Sequence, residues 1–236
     1  MNEVRPGGVI GRAWDIYKSQ FGLLFIAAVL LTLITLAVAF VFAPLVGIVN
    51  FVLGLFYTGG VVRLVQDVED GRRDEQAGTL FKGVAPVFWQ LLVVAILAGI
   101  AIAIGFILLI IPGLILITIW SVVVPVVVLE KPGVFASFGR SRELVRGHGW
   151  QVFGTLLLAW LIVVGVSLVV GIILEVAGAG GVVVAIANWL LTALTLPLVA
   201  LVSSVLYFRL KAVKGDATAT DVQPVERGEQ PPTQSS

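Results

Sequence analysis

Few residues in this sequence are suited to chemistry, and they fall at the edges of long apolar runs. The strongest group is Glu130, Arg140 and Arg142. Glu130 closes an apolar run, and the two arginines follow a Pro-Gly break. A carboxylate facing guanidinium groups can form a fork-shaped, charge-assisted contact. The plainer reading is a structural ion pair, with Arg140 or Arg142 or with Arg63 of another run. The sharper reading is a lipid-headgroup site made by all three. Asn50 and Asn188 sit inside apolar runs, where an amide either bonds to a neighbouring helix or lines a polar cavity. Pro125 and Pro197 remove a backbone donor from their runs and are candidate kinks.

The remaining polar groups do not assemble a reaction centre. His148, the single histidine, lies between Gly147 and Gly149. A metal site would need companion ligands, and none share its segment. No serine has a base at a usable spacing. No glycine-rich phosphate loop follows a strand. Glu175 falls at the far end of an apolar run, at the membrane boundary. No catalytic residue, metal or cofactor is expected.

Composition says why the polar residues are so sparse. Of 236 residues, 59% are hydrophobic and 12% are charged, and the mean hydropathy is +1.09. Soluble domains carry about 25% charged residues. There is no cysteine, which removes disulfides and thiolate chemistry. The opening MNEVRPGGVIGRAWDIYKSQ is acidic as well as basic and has no apolar core, so it does not read as a cleavable signal.

Taken in order, the chain alternates amphipathic segments with apolar spans. Residues 1–20 contain an amphipathic helix, with Ile10, Ala13, Trp14, Tyr17 and Phe21 on one side. Its aromatic rings suit the headgroup level of a bilayer. Six spans are expected near 21–43, 45–66, 88–110, 114–129, 150–174 and 182–207, each long enough or nearly so to cross hydrocarbon. Arg63 is expected to snorkel from the second span to the surface. Ala95, Gly99 and Ala103 offer the third span a small-residue packing face. Ile111-Pro112-Gly113 is expected to turn the chain into the fourth. A second interfacial segment is expected at 78–87, with Leu80, Phe81, Val84 and Phe88 on one face. A third is expected at 134–146, with Val134, Phe138, Ser141 and Val145 inward and Arg140, Glu143 and Arg146 outward. Residues 214–236 have no apolar period and are expected to be a disordered tail.

The 15 Lys and Arg residues all fall before span one, between two and three, between four and five, or after six. The three opposite loops have none. By the positive-inside rule both termini are cytoplasmic. The spans begin near 21, 88 and 151, two similar intervals. The expected fold is thus all-α: three transmembrane hairpins, each preceded by an interfacial helix. An odd number of parallel hairpins differs from the inverted repeats of many secondary transporters.

The run PGLILITIWSVVVPVVVLE, followed by GVFASFGRSRELVRG and WQVFG, resembles the glycerophosphoryl diester phosphodiesterase membrane-domain family. The opening GxVIGRAWDIYKSQFG and the closing VLYFRL are similar to it as well. That resemblance implies the fold and a membrane location. It implies no phosphodiesterase activity, because the catalytic domain of fused members has no counterpart in these residues.

The leading expectation is a non-enzymatic membrane protein that interacts with lipids, as an accessory, scaffold or envelope-homeostasis factor in the cell membrane. The alternative is a transporter or channel for a small or amphiphilic solute, and a weaker third reading is an enzyme on lipid-linked substrates. The expected partners are membrane lipids, with anionic ones suited to the basic helices. A homo-oligomer or a membrane-protein partner stays open, and nucleic acid is excluded because the cations border the membrane and alternate with acids.

Overall fold

The structure, a computed structural model, describes residues 4–41, 43–71 and 83–221. These fold into α1 (Pro6–Ser19), α2 (Phe21–Val41), α3 (Val46–Glu69), α4 (Phe88–Leu108), α5 (Ile110–Ile119), α6 (Val123–Leu129), α7 (Val134–Val145), α8 (Gly149–Val176) and α9 (Gly181–Asp221). Short 3-10 turns occupy Ala43–Leu45 and Ala85–Val87. Six stretches are long and apolar enough to cross a membrane: α2, α3, Ala85–Leu108, α5 with α6, α8, and α9 to Gly215. The chain is an all-α, multi-pass membrane protein. Helices are forced here, because backbone groups in hydrocarbon have no water to bond to. Several Ser and Thr hydroxyls inside the spans turn back on their own helices. Thr58, Thr155 and Ser167 each donate to the carbonyl four residues earlier at 2.8 Å.

Several boundaries and faces differ from the sequence expectation. The chain reverses between the third and fourth spans at Leu109 (φ −165°, ψ 148°), not at Ile111–Gly113. Pro112 then falls in the first turn of α5, where its missing N–H costs nothing. Gly113 faces Gly105: a Cβ on Gly105 would lie 3.1 Å from the Gly113 Cα, and one on Gly113 would lie 2.6 Å from the Phe106 ring. This close approach is what glycine supplies. The Ala95–Gly99–Ala103 stripe is not the contact face; α4 buries Leu91, Val94, Ala98 and Gly105 instead.

The fourth span is broken at Trp120–Val122, between α5 and α6. Pro125 lies one turn further on, in the first turn of α6. It has no N–H for the Ser121 carbonyl and its ring crowds that group, so the interruption belongs one turn before the proline. Pro197 has no such effect: α9 runs through it unbroken. The carbonyl it deprives is that of Ala193. On the adjoining residue, the Tyr17 hydroxyl donates to the Leu194 carbonyl at 3.3 Å, a neighbouring helix supporting the weakened turn.

Of the expected interfacial segments, α1 and α7 are α-helices. In the second, the part from Gly83 is a turn and the 3-10 turn at Ala85–Val87, where Pro86 cannot donate. Residues 78–82 lie outside the described residues. Val84 is fully buried and fits over Gly59, whose added Cβ would lie 2.8 Å from a Val84 methyl. In α1 the buried face is Val9, Ala13, Ile16 and Tyr17, with Trp14 turned outward. The helix packs on α9 and α8, and packing selects the aliphatic stripe while leaving the indole for the headgroup level. The tail expected from 214 is still helical to Asp221, and 222–236 lies outside the described residues.

α9 is the central post, packed against α1, α2, α3, α6, α7 and α8. At 41 residues it rises about 60 Å, roughly twice the hydrocarbon thickness. α3 and α6 form a dividing wall between two buried clusters. Val61, Val65, Val122 and Val126 face the cluster shared with α1, α2 and α9. Val62, Val123, Val127 and Val128 face the cluster shared with α4.

Candidate functional site

The polar residues of the wall converge where α6 ends. Glu130 caps α6, and its N–H bonds to the Val126 carbonyl at 2.9 Å. Lys131 at φ +51° and Gly133 at φ +97° turn the chain back into α7. That reversal brings Arg140 over Glu130: Nε donates to Glu130 Oε2 at 2.9 Å. Arg140 Nη1 donates to Glu143 Oε2, also at 2.9 Å. The other Glu130 oxygen, Oε1, accepts from the Tyr207 hydroxyl at 2.7 Å. Tyr207, fully buried on α9, in turn lies under Lys211, whose Nζ is 3.4 Å from its hydroxyl and 5.6 Å from its ring centroid.

Glu130 therefore ties the α6–α7 turn to α9. Its side chain is 20% exposed and that of Arg140 35%, so the pair is only partly desolvated. Such charge-assisted bonds contribute about 1.5–3 kcal/mol each, more than a solvent-exposed pair at roughly 0–1 kcal/mol. Burial works to lower the Arg140 pKa, but the bonds to Glu130 and Glu143 outweigh it and the guanidinium is held above its ordinary value. It stays charged. With both Glu130 oxygens committed, the arrangement fastens helices together and offers no open carboxylate.

Two further contacts extend this layer. Arg63 does not reach the surface as its position suggested. Its Nη2 donates to the Val128 carbonyl at 3.2 Å, capping the end of α6, one of the roles basic side chains play at helix C-termini. On α7 the buried face is Ser137, Ser141, Leu144 and Val145. Ser141 donates to the Ile119 carbonyl at 2.8 Å, which satisfies a group left over at the α5 break. Ser137 donates to the Gly133 carbonyl at 2.6 Å and accepts from Gln90 at 3.4 Å.

The structure brings together Glu130 and Arg140 of the expected group and leaves Arg142 out. Arg142 is exposed, and among the described residues it makes no ion pair. Arg140, expected to point outward, instead folds back onto Glu130. Asn50 and Asn188 are both exposed, and among the described residues neither side chain bonds to another helix. His148 is partly buried with its Nδ1 unbonded. Sequence reasoning missed Tyr207 and Lys211 as members of the layer. The available signal was a tyrosine and a lysine four apart at the exit of the last span, one helical turn on the same face. Among the described residues no three His, Cys, Asp or Glu side chains gather as a metal would require.

No family profile matches the chain, so the likeness to the glycerophosphoryl diester phosphodiesterase membrane domain gains no support there. No solved structure matches it. Over 116 residues, 49% of this chain, it is 34% identical to a UPF0259 membrane protein of Pectobacterium carotovorum subsp. carotovorum. The matched part is 44% of that relative's length, so the chain spans less than half of it. What the comparison supports is similarity to a family of membrane proteins, in agreement with the six apolar spans.

Proposed function

We propose that this chain is a non-enzymatic, lipid-interacting accessory or scaffold of the cell membrane, with both termini cytoplasmic. The observation that carries the reading is the construction of the basic face. Its internal polar groups are spent on fastening helices, while its surface presents aromatic rings and arginines to the headgroup level. Phe135 and Trp150 are 82% and 85% exposed, and Arg142 and Arg146 are exposed beside them in sequence. Rings and cations at that depth are the usual means of holding a bilayer interface. The resemblance of residues 112–154 to the membrane-domain family named above fits the same location.

A transporter or channel would need a polar path. Thr58 and Ser167 bond to their own helices, and Asn50 and Asn188 lie on exposed faces, which speaks against one. The test is native mass spectrometry of protein released from its membrane in mild detergent, with lipid identification. A retained anionic lipid is the expected result. A lipid-free protein that conducts a solute in liposomes would overturn the reading.

A further inference from the structure

Between α5 and α8 runs a cavity of about 760 Å³, walled by Leu114, Ile115 and Ile119 on one side and Trp150 and Phe153 on the other, with Gly147 at its basic-face end. That volume is within the ~300–1,000 Å³ of small-molecule sites. Its walls are mostly apolar, with Thr118 and Gln151 among them, and α5 and α8 belong to stretches apolar enough to cross a membrane. A second groove, between α2 and α3, has about 540 Å³ and is walled by Leu, Ile, Ala, Phe and one Tyr. What distinguishes the first is its mouth.

Two arginines adjoin it along the chain. Arg142 follows Ser141, which is bonded to the carbonyl of the wall residue Ile119 at 2.8 Å. Arg146 precedes the wall residue Gly147, which turns the chain at φ +90°. Arg142 and Arg146 are four residues apart at the end of α7, so they lie side by side on one stripe, where like charges repel. Arg12, Lys18 and Arg140 all have carboxylate partners. Arg142 and Arg146 have none among the described residues, and both are exposed. An anion between them would relieve the repulsion, and an apolar tail on that anion would fill the groove.

We propose that the α5–α8 groove is a specific site for one anionic phospholipid, its phosphate held by Arg142 and Arg146 and one acyl chain laid against Ile115, Trp150 and Phe153. This deepens the lipid-interaction reading above and rests on it. The headgroup site expected around Glu130 is thereby moved to the other end of α7, onto the arginines that the clamp leaves unused.

The experiment titrates delipidated, full-length protein in detergent with phosphatidylglycerol and, separately, with phosphatidylcholine of the same chains, read by native mass spectrometry. One phosphatidylglycerol is expected to bind ahead of any phosphatidylcholine. The Arg142→Gln/Arg146→Gln double variant should weaken it about 30-fold, from roughly 1 kcal/mol per basic residue at a membrane surface. Ile115→Trp, which fills the groove and leaves both arginines, should weaken it as well. Leu30→Trp, which fills the α2–α3 groove, should leave it unchanged. Unfolding midpoints of each variant separate lost binding from lost fold. Selective binding that ignores the arginine and Ile115 variants would overturn this site while leaving the lipid reading intact. Equal, non-selective binding of both lipids would overturn both. Inorganic phosphate binding as tightly as phosphatidylglycerol would show a phosphate site without a lipid chain and also overturn the proposal.

Discussion

The two halves of this bundle, cut across the membrane, are built differently. In the half toward the basic face lie buried residues such as Val61, Val62 and Val65 of α3, Leu91 and Val94 of α4, Val126–Val128 of α6, and Leu201, Val205, Leu206, Tyr207 and Leu210 of α9. In the opposite half the same kinds of side chain are bare. Ile107 is 83% exposed, and Leu108–Ile111, Ile172, Ile173 and Val182 are similarly open. The buried and the bare side chains are the same apolar types, so their hydrophobicity does not explain the difference. In lipid an exposed isoleucine loses nothing, and helices associate only where packing or hydrogen bonds reward them. The basic half has the Glu130–Arg140–Tyr207 contacts, the Arg63 cap and the Ser141 bond. The opposite half has the Gly105–Gly113 approach and no interhelical side-chain hydrogen bond among the described residues.

The largest expected effect comes from breaking the polar fastening. Glu130→Ala leaves the fully buried Tyr207 hydroxyl without its acceptor and Arg140 with Glu143 alone, which should cost about 3 kcal/mol, roughly 1.5 for each charge-assisted bond lost. Unfolding in detergent micelles measures it, and a loss under ~1 kcal/mol would mean that packing alone holds the basic half. Next is Leu206→Ala, at a fully buried position. About 2 kcal/mol is expected, the low end for a core leucine because lipid rather than water is the alternative environment. Gly113→Ala probes the glycine contact of the opposite half. The Phe106 ring must move aside, at about 1–3 kcal/mol, and disulfide or label distances across the α4–α5 hairpin should widen. Smallest is Ile172→Ala, 60% exposed, with an expected change below ~0.5 kcal/mol. A loss at Ile172 as large as at Leu206 would indicate that the open half is covered by a partner in the membrane.

The same contrast decides what could be read without the structure. Span number follows from length and charge-free apolarity, and the one-sided placement of Lys and Arg fixes which ends lie together. Those are one-dimensional properties. Which face of a helix is buried is not, when every face is apolar: α4 offers Ala95–Gly99–Ala103 and Leu91–Val94–Ala98 equally well, and only the partner chooses. The Glu130–Arg140 contact was legible because ten residues and a Pro-Gly turn separate the two. Tyr207 was not, because it reaches Glu130 from 77 residues away. Nor was the α1 register, since Ile10 and Trp14 compete with Val9 and Ile16 on adjoining stripes.

The contact between Tyr17 and Leu194 joins residues separated by 177 positions. Translation at about 5–20 residues per second places roughly 10–35 s between their syntheses. During that interval the early spans wait in the bilayer without the post they pack against, and Glu130 waits for Tyr207. The α3–α4–α6 cluster can pack in that interval, but the cluster shared with α1 and α2 closes only when α9 is delivered. A chain interrupted before α9 would present Glu130 without Tyr207, and Val61, Val65, Val122 and Val126 without their packing partner, to the membrane's proteases.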